Sequence, residues 1–166
     1  DRDVAMVFQN YGLYPTMTVR ENIRFPLKVR GVPRDQHDAM VHRAAEMVEL
    51  TDFLHRRPAE LSGGQRQTLA IARAIYFGAK ILILDEPLTG LDEGLRSEVI
   101  PYLEFLRDHS KLPILYISHS QSEVARLSDK IVVLENGNIL EHGETLQILS
   151  SFRVAKKLGL RDLSSF

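Results

Sequence analysis

The chain contains no cysteine. That excludes a disulfide framework and a Cys-based zinc site, and it suits a reducing compartment. It also lacks long hydrophobic runs. None approaches the ~18 consecutive apolar residues of a membrane span, and runs such as Ile81–Leu84 are strand-sized. It has little excess charge, with 21 Lys and Arg against 22 Asp and Glu. A formal charge of −1 leaves no broad basic field for phosphate backbones, so nucleic acid is not expected as a partner. The start, Asp1-Arg2-Asp3, has neither an initiator Met nor a basic-then-apolar signal pattern, and it reads as cut from something longer. What remains is a 166-residue chain, 44% hydrophobic and 26% charged, long enough for one domain with a real core.

Val4 to Phe8 reads as a buried strand, and Gln9 to Thr18, with Asn10, Gly12 and Pro15, as a loop. Thr18 followed three residues later by Glu21 is a capping-box pattern that opens a helix. Apolar periodicity predicts a second helix from about Arg34 to Leu50. Beyond Pro58, Ser62 caps a helix to about Phe77, with Gly78 as its stop. The second half alternates: strand Ile81–Leu84, helix Glu93 to about His109, strand Pro113–Ile117, helix Gln121–Leu127. Lys130–Leu134 and Ile139–Glu141 then flank Asn136-Gly137, a short hairpin signal. From Glu144 the tail reads as one or two short helices, broken at Ser150-Ser151. Strands alternating with helices predict an α/β fold with a mainly parallel sheet covered on both faces.

Two strings carry chemistry. In Leu61-Ser62-Gly63-Gly64-Gln65, Ser62 caps a helix and the glycines let backbone N–H groups approach an anion without Cβ interference. An ordinary glycine-rich turn would look similar, but the full string followed by Arg66-Gln67 and Ala70-Ile71-Ala72-Arg73-Ala74 is more specific. In Ile81–Pro87, four apolar residues end in Asp85-Glu86. The acids therefore emerge at the carboxyl end of a buried strand, where α/β ligand sites form. Asp85 is suited to Mg²⁺ beside nucleotide phosphates, and Glu86 to orienting or deprotonating a water.

The order and spacing of Val7-Phe8-Gln9, Leu61–Gln65, Ile81–Pro87, Leu91-Asp92 and Ser118-His119 resemble the nucleotide-binding domain of ATP-binding-cassette transporters over nearly the whole chain. The resemblance implies ATP and Mg²⁺ as cofactors. Gln9 resembles the glutamine that touches the metal or the lytic water and couples to the membrane subunit. Leu61, Ser62, Gly63, Gly64 and Gln65 resemble the signature that closes on the ATP of the opposite subunit. Asp85 matches the metal-side acid and Glu86 the catalytic glutamate. Asp92 matches the dimer-interface aspartate, and His119 the switch that contacts the γ-phosphate. Implied partners are a second such subunit, head-to-tail, transmembrane permeases, and indirectly a solute-binding protein. The implied place is the cytoplasmic face of the membrane, peripherally bound.

Within residues 1–150 the resemblance implies a signature subdomain at about 18–78 and a hydrolysis core at about 79–143, with a helical tail at 151–166. No Gly-x-x-x-x-Gly-Lys-Ser/Thr loop is present. In the family it lies upstream of Gln9, so the expectation is an N-terminally truncated domain that is inactive alone. Thr68, Thr89-Gly90 and Ser120 also depart from common family residues. Gln9–Pro15 and Met17–Ile23 resemble sugar and polyamine importers. Pro101-Tyr102-Leu103, Leu115–Ser120 and Val133–Gly137 look more like molybdate importers, and the expectation is molybdate or a related oxyanion. The competing classes are a soluble non-transport cassette ATPase and a non-catalytic interaction module.

Overall fold

The computed structural model describes residues 4–8, 11–76, 79–110 and 112–151. Of the expected elements, Phe77, Gly78 and the tail beyond Ser151 lie outside the described residues. The chain divides into two compact units, residues 1–117 and 118–166.

In the first unit, β1 (Val4–Val7), β2 (Ile81–Asp85) and β3 (Ile114–Ile117) form a parallel sheet in the order β1-β2-β3. Val4 pairs with Ile81, and Leu82 with Ile114. This register puts Ala5, Val7, Leu82 and Leu84 on one face, all buried. The expectation of a sheet covered on both faces is not met among the described residues. The opposite face leaves Val4 50%, Ile81 42%, Leu115 53% and Ile117 42% exposed. Side chains alternate across a strand, so one-sided packing buries every second residue even in a continuous apolar run.

The helices of this unit are α1 (Val19–Val29), α2 (Arg34–Met47), α3 (Gly63–Ile75) and α4 (Glu93–His109). Val19, Ile23, Leu27, Val41, Ala44, Ala45, Leu69 and Ala72 form one buried cluster among α1, α2 and α3. Each fully buried Ile or Leu contributes about 1.5–3 kcal/mol. The ends are set by local chemistry. Thr18 Oγ1 accepts from Glu21 N (3.2 Å) while Glu21 Oε2 accepts from Thr18 N (2.8 Å), the expected capping box. Helix α1 stops at Gly31 (φ 70°), where Val32 N donates to Leu27 O and Gly31 N to Lys28 O. Helix α2 ends three residues before the expected Leu50, through the same motif built on a non-glycine. Glu49 adopts φ 53°, its N–H donates to Glu46 O, and Leu50 N donates to Ala45 O at 2.7 Å. Leu50, 1% exposed, supplies the apolar contact that accompanies this stop.

In the second unit, α5 (Gln121–Leu127) precedes the antiparallel hairpin of β4 (Lys130–Glu135) and β5 (Asn138–Glu144), followed by α6 (Thr145–Ser150). Asn136 (φ 49°) and Gly137 (φ 78°) are both left-handed, as a two-residue turn matching strand twist requires. Helix α6 ends at Ser150 with Ser151 as its cap, where the sequence places a break.

Candidate functional site

Strand β2 runs straight into the two acids. Asp85 pairs with Ile117 at the carboxyl end of the ladder, half-buried, on the sheet's open face. The next residue, Glu86, leaves the strand in a left-handed conformation (φ 48°), while its N–H still donates to Ile117 O at 2.9 Å. Such a conformation costs a non-glycine residue on the order of 1–3 kcal/mol and persists only where its surroundings hold it. Here they do. Pro87 and Leu88 are buried, Thr89 N donates to Glu86 O at 3.1 Å, and Thr89 Oγ1 donates to Glu86 Oε2 at 2.6 Å. Both acid backbones are therefore fixed, and the Glu86 carboxylate is held from the side. Thr89 was legible only as a departure from a common family residue. A hydroxyl three residues after an acid in a tight turn is the signal that could have found it.

The turn continues to the signature. Leu91 is buried, and Asp92 caps α4 by accepting from Leu95 N at 2.9 Å. At the start of α3, Ser62 Oγ accepts from Gln65 N (3.1 Å) and Gln65 Oε1 accepts from Ser62 N (2.9 Å), a reciprocal box. Leu61 is buried and its carbonyl accepts from Arg66 Nη1 at 2.6 Å.

The two glycines also have a packing reason that the sequence did not show. A Cβ on Gly63 would lie 3.1 Å from Leu91 Cδ2 and 3.5 Å from Leu95 Cδ1. One on Gly64 would meet Leu95, Glu98 and Val99 at 3.4–3.6 Å. In this fold they admit the residues that open and line α4. Leu91, Asp92 and Leu95 thus join the signature to the segment that leaves the acids.

Gln9 and Asn10 lie outside the described residues; Phe8 and Tyr11 are described. Tyr11 N donates to Phe8 O at 2.9 Å. His119 belongs to the second unit and is exposed, at the entrance to α5. Its neighbours are fixed: Ser118 Oγ donates to Glu123 Oε2 (2.8 Å) and accepts from Ser120 N (3.0 Å). Ser120, where the family often has Asp, caps α5 by accepting from Glu123 N at 3.5 Å.

Among the described residues no three His, Asp or Glu side chains converge as a ready metal cage. Mg²⁺ typically takes one or two carboxylates and keeps several waters beside nucleotide phosphates, so a single half-buried carboxylate at a strand end fits it in kind. Nor is any described helix long and apolar enough to cross a membrane.

Comparison with known proteins agrees with these features. The chain is 46% identical over 143 residues, 86% of its length, to the trehalose/maltose import ATP-binding protein MalK of Thermococcus litoralis, covering 38% of that protein. It is 40% identical over 158 residues, 95% of its length, to the molybdenum import ATP-binding protein ModC of Pseudomonas savastanoi, covering 43%. It is 43% identical over 148 residues, 89% of its length, to the sn-glycerol-3-phosphate import ATP-binding protein UgpC 1 of Rhizobium etli, again covering 43%. The chain thus spans roughly two fifths of the length of these curated relatives. A profile of the ABC transporter family matches residues 1–89, from the first strand through the two acids and the Thr89 turn, and with the mixed parallel α/β fold it shows that the chain belongs to the ABC transporter ATPase family.

Proposed function

We propose that this chain is the signature and hydrolysis portion of an ATP-hydrolysing subunit that powers an importer. The observation that carries the reading is the end of β2, where Asp85 and Glu86 follow one another and the Thr89 hydroxyl grips the Glu86 carboxylate. In this reading Asp85 would hold Mg²⁺, which supplies charge neutralisation to the phosphates. Glu86 orients the attacking water and takes its proton, a role that needs a carboxylate fixed beside the phosphates. Leu61 to Gln65 present the start of α3 to the ATP of a second, head-to-tail subunit, where free helix N–H groups favour negative charge. Gln9, His119 and Asp92 complete the assignment as water or metal contact, γ-phosphate switch and dimer contact. The division into a signature subdomain at about 18–78 and a hydrolysis core at about 79–143 belongs to the same proposal.

The subunit would work on the cytoplasmic side of a membrane, docked to permeases that a solute-binding protein feeds. For the solute we propose molybdate or a related oxyanion, on the strings Pro101-Tyr102-Leu103 and Leu115–Ser120 and on a molybdenum-import relative that spans 95% of the chain. A sugar is an equally supported alternative, since a trehalose/maltose-import relative is 46% identical. The test is ATP hydrolysis by the longer protein carrying its phosphate loop, reconstituted with its permease and binding protein. Stimulation by molybdate and not by maltose is the expected result. Stimulation by maltose alone moves the assignment to the sugar alternative, and absence of hydrolysis under every condition contradicts the importer reading.

A further inference from the structure

The loop after β1 is held by an arginine that none of the roles above uses. Arg73, on the last turn of α3, donates from Nη1 to Gly12 O at 2.6 Å and from Nη2 to Tyr11 O at 3.4 Å. Its guanidinium also lies over the Tyr14 ring, 5.3 Å from the centroid. Two turns earlier on the same side of α3, Arg66 lies 5.7 Å over the Tyr11 ring, and a Cβ on Gly63 would come within 3.9 Å of Tyr11 Oη. The captured carbonyls belong to an unusual stretch: Tyr11 (φ 63°) and Gly12 (φ 54°) are consecutive left-handed residues. A tyrosine in that region is strained and needs external contacts to stay there.

Arg73 has no carboxylate partner among the described residues, and burial pulls its guanidinium below the ordinary range. A half-buried cation satisfied by two carbonyls and a ring face is an expensive way to stabilise a helix end. It is a specific way to hold a loop, because the planar fork fits two successive carbonyls as a lysine cannot. Those carbonyls lie two and three residues beyond Gln9, and the Tyr11 N to Phe8 O bond pins the chain on its other side.

We propose that Arg73 is a positioning residue: it latches Tyr11 and Gly12, the stretch that follows Gln9 in the sequence, to the signature helix, and ATP hydrolysis depends on that latch. The functional part rests on the importer-ATPase reading, whereas the latch itself does not. The experiment therefore has two readouts. Hydrogen exchange on the longer protein compares wild type, Arg73→Met and Arg73→Lys. Arg73→Met should speed exchange of amides in residues 11–17 by about tenfold or more, with α2 protection unchanged, because local opening is governed by local contacts. Arg73→Lys should fall between the two. Unchanged loop exchange overturns the latch, and so does equal loss of protection in the loop and in α2, which marks a structural role only. If Arg73→Met fails to fold, the wild-type-against-Lys comparison decides alone. In the longer protein, the same change should lower kcat with nucleotide Kd unchanged. A wild type that never hydrolyses ATP refutes the importer reading and leaves the exchange result standing. An active wild type whose kcat is unmoved by loss of the latch refutes the link to hydrolysis.

Discussion

The start of α3 and the end of β2 are the two motifs that identify this chain, and they are built on opposite principles. At the start of α3 the solution is local and unstrained: Ser62 and Gln65 cap each other's backbone, and Gly63 and Gly64 give room to Leu91 and α4. At β2 the acids sit half-buried, with Glu86 in a left-handed conformation and its carboxylate gripped by Thr89. The signature is thus a folding motif, whatever ligand role is proposed for it. Changes there will mix stability with chemistry, whereas changes at the acids should act on chemistry alone.

The largest expected break in that contrast is Gly64→Leu. Its added atoms must displace Leu95, Glu98 and Val99, and overpacking of this kind costs roughly 1–3 kcal/mol or more. Urea denaturation should show the loss, so inactivity of this variant is not evidence for a ligand role alone. Gly64→Ala is the control. Its Cβ reaches only ordinary contact at 3.4–3.6 Å, and the gain in helix propensity offsets it, so stability should change by less than about 1 kcal/mol.

Thr89→Val tests the other motif. It keeps the shape and removes the hydroxyl on Glu86, so kcat in the longer protein should fall about tenfold, roughly 1.4 kcal/mol, with KM little changed. Thr89→Ser should retain most of the rate. Ser62→Ala is smaller, costing about 1 kcal/mol by thermal denaturation for one lost cap.

The smallest effect sharpens the comparison by pH. Thr18–Glu21 is the same box as Ser62–Gln65, with an ionisable partner. Bonds from the Thr18 backbone N–H, and then from its side chain, hold the Glu21 carboxyl below its ordinary pKa. The cap's contribution is therefore complete above the ordinary carboxylate range and is lost as pH falls through the lowered folded value. An NMR titration should show α1 fraying in that window while the start of α3 does not respond. Equal fraying at both helices would contradict the assignment.

The features that were legible in the sequence are those made by neighbours along the chain. Thr18-Glu21 and Ser62-Gln65 announce their helices, Asn136-Gly137 its hairpin, and Ile81–Pro87 a strand ending in acids, because each is a backbone problem solved within a few residues. What stayed hidden depends on partners distant in sequence or on rare conformations. Glu49 ends α2 where glycine is the usual signal, since buried Leu50 holds the turn. Gly63 and Gly64 answer to Leu91 and α4, more than 25 residues away. Arg73 reaches 61 residues back to Gly12, and periodicity has no means of showing that. A run of apolar residues in β2 likewise does not say that one face of the sheet stays exposed.

The central claim is that Glu86 performs the proton transfer of ATP hydrolysis while other groups hold the nucleotide. It is tested most directly by Glu86→Gln in the longer protein, with nucleotide affinity and steady-state hydrolysis measured on the same preparation. The account predicts unchanged Mg-ATP affinity, an unaltered melting temperature and a hydrolysis rate about 10²–10⁴-fold lower. Hydrolysis at the wild-type rate, with affinity and folding intact, would contradict it.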